Sequence, residues 1–184
     1  MEILKNDKLT VEISSHGAEL QSIKNAEGHE YLWQGDEKYW PRRSPLLFPI
    51  VCGLWKDEYR VDGKTYSLPR HGFARDMDFE VLDKTDASVT YGLDANDETM
   101  KVYPYDFHLN VRYVLKDDTL NVFWVVKNVG KEEMHFQVGG HPAFNLPNVA
   151  EGDKMHGTIL FDNEKPLTRI IGNTGGCIKP KRYD

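Results

Sequence analysis

Apolar residues recur at every second position through much of this chain. In "KLTVEIS", Leu9, Val11 and Ile13 fall on one side, and in "HLNVRYVL" Leu109, Val111, Tyr113 and Leu115 do the same. Successive side chains of a strand point to opposite faces, so this period predicts strands with one buried face. In "YRVDGKTYSL" two alternating runs meet at Asp62-Gly63, a strong short-range signal for a hairpin. A second hairpin is predicted at "VLKDDTLNVFWVVKN". There Leu120, Val122, Trp124 and Val126 alternate with Asn121, Phe123, Val125 and Lys127, so both faces are apolar over part of the strand and both are expected to be covered. No stretch combines helical periodicity with caps, and no repeat or low-complexity linker interrupts the chain. The expected fold is all-β, an antiparallel sandwich of packed sheets. The tail "IIGNTGGCIKPKRYD", rich in glycine and charge, predicts no closing strand.

Composition agrees with a single domain over residues 1–184. A chain of 184 residues that is 40% hydrophobic can bury a sizeable core. Cys52 and Cys177 are too few for a disulfide framework and lack the spacing of a metal knuckle or redox pair, which fits a reduced, cytoplasmic protein. The opening "MEILKNDKLTVEIS" scatters Glu2, Lys5, Asp7 and Lys8 where a signal peptide needs an apolar run, and no segment reaches membrane-spanning length. With a formal charge of −6 and no basic cluster beyond "KPKR", the chain lacks the electrostatic footprint of a nucleic-acid binder. Neither nucleic acid nor membrane is an expected partner, and a small molecule is.

Two of the seven histidines stand apart. His71, in "LPRHGFARDMDFEV", follows a hairpin and is flanked by Arg70, Gly72 and Arg75, as in a loop displayed on a scaffold. His141, in "VGGHPAFNLP", sits where Gly139 and Gly140 end a strand and Pro142 restrains the chain. Either could equally be an ordinary loop histidine. His108 and His135 lie in strand-like runs and are expected on half-buried faces, and no histidine pair has the short spacing of a zinc site, so no metal or cofactor is expected. Trp33, Trp40 and Trp55 are candidates for the aromatic wall of a pocket, though each could be core.

Four runs in order, "WPRRSPLLFPIV", "LPRHGFARDMDFEV", "YPYDFHLNVRYVL" and "GGHPAFNLP", resemble the aldose 1-epimerase family, the galactose mutarotases, and especially their LacX-like bacterial branch. The resemblance implies a large antiparallel β-sandwich of the galactose mutarotase type with a sugar-binding cleft, and interconversion of the α and β anomers of an aldose. Ring opening needs a base for the anomeric hydroxyl proton and an acid for the ring oxygen. An imidazole, with an ordinary pKa near 6.5, suits the acid role at neutral pH. By this resemblance His141 is the general acid and His71 the second catalytic histidine, which would hydrogen-bond the sugar near the ring oxygen and help stabilise charge there. Arg42 matches the arginine ahead of "P-x-x-F-P" and would bind sugar hydroxyls, with Arg43 as an alternative register. Asn145 is a further substrate-side candidate, or fixes backbone polar groups, while Phe144 anchors its loop in the core and the glycines admit the substrate. Many relatives have glycine then arginine after "FPIV", where this chain reads Cys52-Gly53-Leu54-Trp55. The family's general base is a glutamate well beyond the His-Pro motif, and Glu133, Glu151 and Glu164 do not match its segment, so the chain reads as C-terminally truncated. The resemblance therefore leaves a noncatalytic carbohydrate-binding module as the alternative. It also leaves open a phosphorylated aldose, with Arg70 and Arg75 as its cations, and a homodimer formed through an exposed sheet edge.

Overall fold

The computed structural model describes residues 1–146 in full, and the backbone alone of residues 169–172 and 178–183. The strands are β1 (Glu2–Lys5), β2 (Leu9–Ile13), β3 (Leu20–Asn25), β4 (Leu46–Leu47), β5 (Glu58–Val61), β6 (Lys64–Ser67), β7 (Glu80–Lys84), β8 (Ser88–Asp94), β9 (Phe107–Lys116), β10 (Thr119–Asn128), β11 (Gly139–Gly140), β12 (Arg169–Gly172) and β13 (Ile178–Tyr183). Among the described residues one α-helix, α1 (Asp97–Val102), joins β8 to β9. β1, β2 and β3 form one antiparallel sheet, and β10, β9, β8 and β7, in that order, form another.

The two predicted hairpins are present. β5 and β6 pair across Asp62 and Gly63, both at positive φ (48° and 77°), the backbone that a tight two-residue turn requires. β9 and β10 pair residue for residue from Thr119 opposite Lys116 to Asn128 opposite Phe107. The alternation reads directly as burial. Leu9, Val11 and Ile13 of β2 are buried, as are Phe107, Leu109, Val111, Tyr113 and Leu115 of β9. Each such side chain removed from water contributes about 1.5–3 kcal/mol before the entropic cost of ordering it. The sheets are tied by hydroxyls as well: the Tyr91 hydroxyl donates to the Ile13 carbonyl (3.2 Å) and that of Tyr113 to Ala18 (2.7 Å). Burial pushes both phenols well above their ordinary range, so both remain neutral donors.

Five expectations need correcting. The chain does form a helix: the Asn96 side chain accepts from the Glu98 and Thr99 amides, and the Thr99 hydroxyl answers the Asn96 amide, a capping box too short to show as periodicity. The tail does pair as strands, β12 against β13. The outer face of β10 is not covered by described residues, since Phe123 and Val125 are 50% and 53% exposed. Phe144 is likewise exposed rather than a core anchor; its segment is held by a backbone bridge to Leu32. His135 is exposed outside any strand, and only His108, on β9 and paired with Asp94 at 2.5 Å, sits on a half-buried face. His156, Cys177, Glu151 and Glu164 lie outside the described residues.

Candidate active site

Three pieces of irregular backbone converge where β4 and β11 pair. The segment after β11 is held against the segments that precede β4. The His141 amide donates to the Pro45 carbonyl (3.1 Å), Ala143 to Arg43 (2.9 Å) and Asn145 to Tyr31 (2.8 Å), while Trp33 donates to the Ala143 carbonyl (2.9 Å). The Asn145 side-chain amide caps two more carbonyls, those of Glu30 and Leu32. Its donors are thus spent on the scaffold. Gly140 lies close to the Trp124 indole of β10: a β-carbon there would stand 2.9 Å from Cζ2, so the indole would have to shift to admit one. The indole, rather than a substrate, occupies the space that this glycine leaves.

The His71 loop is anchored more tightly. His71 has φ of +70°, a left-handed conformation that costs a residue with a β-carbon about 1–2 kcal/mol. Gly72, at φ +71°, presses on the Phe48 carbonyl so closely that a β-carbon would overlap it. Hydrogen bonds on every side sustain this backbone. The His71 amide donates to the Cys52 carbonyl (2.9 Å) and Phe48 donates to His71 (3.2 Å), while Phe73 and Ala74 both donate to Phe48. The ring is fixed as well, because the Cys52 amide donates to His71 Nδ1 (3.0 Å). An N–H pointing at Nδ1 requires that nitrogen to be bare, so the neutral ring carries its proton on Nε2. Desolvation, then the charges of Arg75, His141 and Arg70, lower the His71 pKa below 6.5, which keeps the ring neutral near pH 7.

The two imidazoles face each other with ring centroids 6.0 Å apart, and Trp40 lies against His141 at 5.1 Å. His141 is exposed, and its ring nitrogens have no hydrogen-bond partner among the described residues. The paired arginines part company. Arg43 turns its guanidinium to the Gln21 side chain and the Gln34 carbonyl, while buried Glu19 accepts from the Arg43 and Ser44 amides (2.9 and 2.8 Å). Arg42 instead meets Asp76 at 2.6 Å, and Asp76 also meets Arg75 at 3.5 Å. Arg75 is anchored a second time, through Nη2, to the Arg70 carbonyl (2.8 Å). The sequence offered Trp40 without choosing it and passed over Asp76, Glu19 and Trp124, whose partners Arg42, Arg43 and Gly140 are distant along the chain.

A cleft of about 670 Å³, lined by Tyr59, Tyr103, Tyr105, Phe136 and Gln137 among others, lies beside this constellation without including either histidine. The convergence of the titratable groups, rather than the depth of the concavity, marks the site. Among the described residues no group of three histidine, cysteine or carboxylate side chains is arranged to hold a metal, and no helix is long and apolar enough to cross a membrane.

The sequence profile of the aldose 1-epimerase family matches residues 2–165. The chromosomal and plasmid LacX proteins of Lactococcus lactis subsp. lactis are each 39% identical over 168 residues, 88% of this chain and 56% of theirs. The chain thus spans about half the length of these curated relatives. A galactose mutarotase related enzyme from Lactobacillus acidophilus superposes with a TM-score of 0.86 at 40% identity, over 99% of this chain and 61% of that one. A galactose mutarotase-like protein from Lactobacillus casei superposes with a TM-score of 0.79 at 44% identity, over 83% and 52%.

Proposed function

The chain belongs to the aldose 1-epimerase family, and from that membership we propose that it carries the acid side of a mutarotase site, taking an aldose over the His71–His141 pair. The observation that supports this most is the asymmetry of the pair. One imidazole is fixed as a neutral Nε2–H donor, and the other stands exposed with both ring nitrogens unengaged by described residues.

In this reading His141 hands a proton to the ring oxygen as the C1–O5 bond opens. It takes the proton back when the ring closes on the other face after rotation about C1–C2. His71 cannot act as a base through Nδ1, which the Cys52 amide occupies, so it donates from Nε2 and stabilises charge at the ring oxygen. Arg42 reaches the sugar hydroxyls, since Arg43 is committed to Gln21 and Gln34. Trp40 offers an apolar ring face to the sugar's C–H groups. The anomeric proton needs a base, the role that the resemblance gives to a glutamate beyond the His-Pro motif, and a positioned base of this kind is worth about 10²–10⁴ in rate. A reduced cytoplasmic setting belongs to the same reading.

The test is NMR exchange between the anomers of glucose and of galactose, at a pH where spontaneous mutarotation is slow, with this chain and its His141→Ala variant. Faster exchange with the native chain that disappears in the variant is the expected result. No acceleration by a folded native chain that still binds the sugar would leave a carbohydrate-binding module and overturn the catalytic reading.

A further inference from the structure

The Asp76 carboxylate joins two pieces of the site through their side chains. Arg42 comes from the segment before β4, and Arg75 follows the His71 loop by sequence. Left alone, two guanidinium groups repel each other, and the charge of Arg42 is among the influences that lower the Arg75 pKa, after desolvation. Asp76 lies between them, with Oδ1 on Arg42 Nη2 at 2.6 Å and Oδ2 facing Arg75 Nε at 3.5 Å. The Arg75 side chain is only 19% exposed, and its Nε is buried with no hydrogen bond of good geometry, so the nearby carboxylate is its main compensation there. Arg42, 30% exposed, keeps part of its guanidinium toward solvent while one nitrogen is held. A carboxylate divided in this way sets the direction of an arginine that must otherwise give up considerable side-chain freedom to bind a ligand.

We propose that Asp76 is a positioning residue for this site: its carboxylate, shared between Arg42 and Arg75, holds Arg42 toward a ligand over the imidazole pair and keeps both guanidinium groups from being taken by an anion. The first half rests on the sugar-binding reading above. The second half does not, because two guanidinium groups released from a carboxylate form an anion site whatever the natural ligand is.

The experiment compares the native chain with Asp76→Asn and Asp76→Glu, each shown by circular dichroism to be folded. It measures the dissociation constants of galactose and of inorganic phosphate, and the solvent exchange of the Arg42 guanidinium protons by NMR. In Asp76→Asn the Arg42 protons should exchange at least tenfold faster, galactose should bind about tenfold more weakly, and phosphate about tenfold more tightly, roughly the loss or gain of one charge-assisted hydrogen bond. Asp76→Glu should recover most of the galactose affinity and reject phosphate. If the native chain binds no galactose, the sugar reading fails, and the proton-exchange and phosphate arms still decide the positioning claim. Unchanged Arg42 exchange with unchanged phosphate affinity in a folded Asp76→Asn chain would overturn it.

Discussion

The His71 loop and the His141 segment hold the same side chain by contrasting means. At His71 both backbone and ring are committed: the residue is left-handed at φ +70°, its amide and carbonyl are bonded to Cys52 and Phe48, and its Nδ1 receives the Cys52 amide. At His141 only the backbone is committed, through Pro45 and the neighbouring Ala143–Arg43 bond, while the ring is exposed. A group that must donate in one direction gains from a locked tautomer, whereas a group that releases and recovers a proton needs its nitrogens accessible. On the proposed function, one histidine serves as a fixed donor and the other as a proton carrier.

Replacing the carrier should have the largest effect. His141→Gln keeps the backbone bonds and removes the titratable ring, so anomer exchange should fall by about a hundredfold or more, read by the same NMR assay, with little change in melting temperature. The lock should break next. A β-carbon at Gly72 meets the Phe48 carbonyl in a left-handed backbone, so Gly72→Ala should cost about 3 kcal/mol or more of stability in urea unfolding. An unchanged unfolding midpoint would show that the loop yields to the added carbon.

Smaller effects sharpen the contrast. Asn tolerates the left-handed region, and its Oδ1 stands where Nδ1 does, so His71→Asn should keep the Cys52 bond and the fold while slowing exchange by about tenfold through loss of the Nε2 donor. The pH dependence follows from the lowered pKa. The folded state resists protonation of His71, so this contribution to stability is present above about pH 6.5 and is lost as pH falls through the lower folded midpoint. His71→Asn should flatten that part of a melting-temperature profile taken between pH 7 and 5, and an unchanged slope would reject the linkage. The smallest effect expected is at Cys52, whose φ of +68° suits glycine. The contacts that hold His71 there are main-chain, so Cys52→Gly should leave exchange intact and alter stability by about 1 kcal/mol or less.

How much of this was legible depended on the range of the interactions. The hairpin at Asp62-Gly63 and the buried faces of β2 and β9 follow from period and turn chemistry, both local, and they appear as expected. β10 has a pattern no weaker than that of β9, yet Phe123, Trp124 and Val125 are exposed, because burial depends on what lies across from a face and the pattern cannot specify that. The site divides similarly. His71 and His141 stood out by their glycine and proline neighbours. The choice between Arg42 and Arg43 could not be made from their adjacency; it depends on Asp76, thirty-four positions from Arg42, and on Gln21 and Gln34. Gly140 was read as making room for substrate, whereas its room is filled by Trp124 from another strand.

The division of labour between the imidazoles can be observed directly by long-range proton–nitrogen NMR of the histidine rings at neutral pH. His71 should show a single neutral tautomer, bare at Nδ1 and protonated at Nε2, beside a His141 ring with no such fixed preference. A His71 ring protonated at Nδ1, or one that exchanges freely between tautomers, would contradict the lock formed by the Cys52 amide.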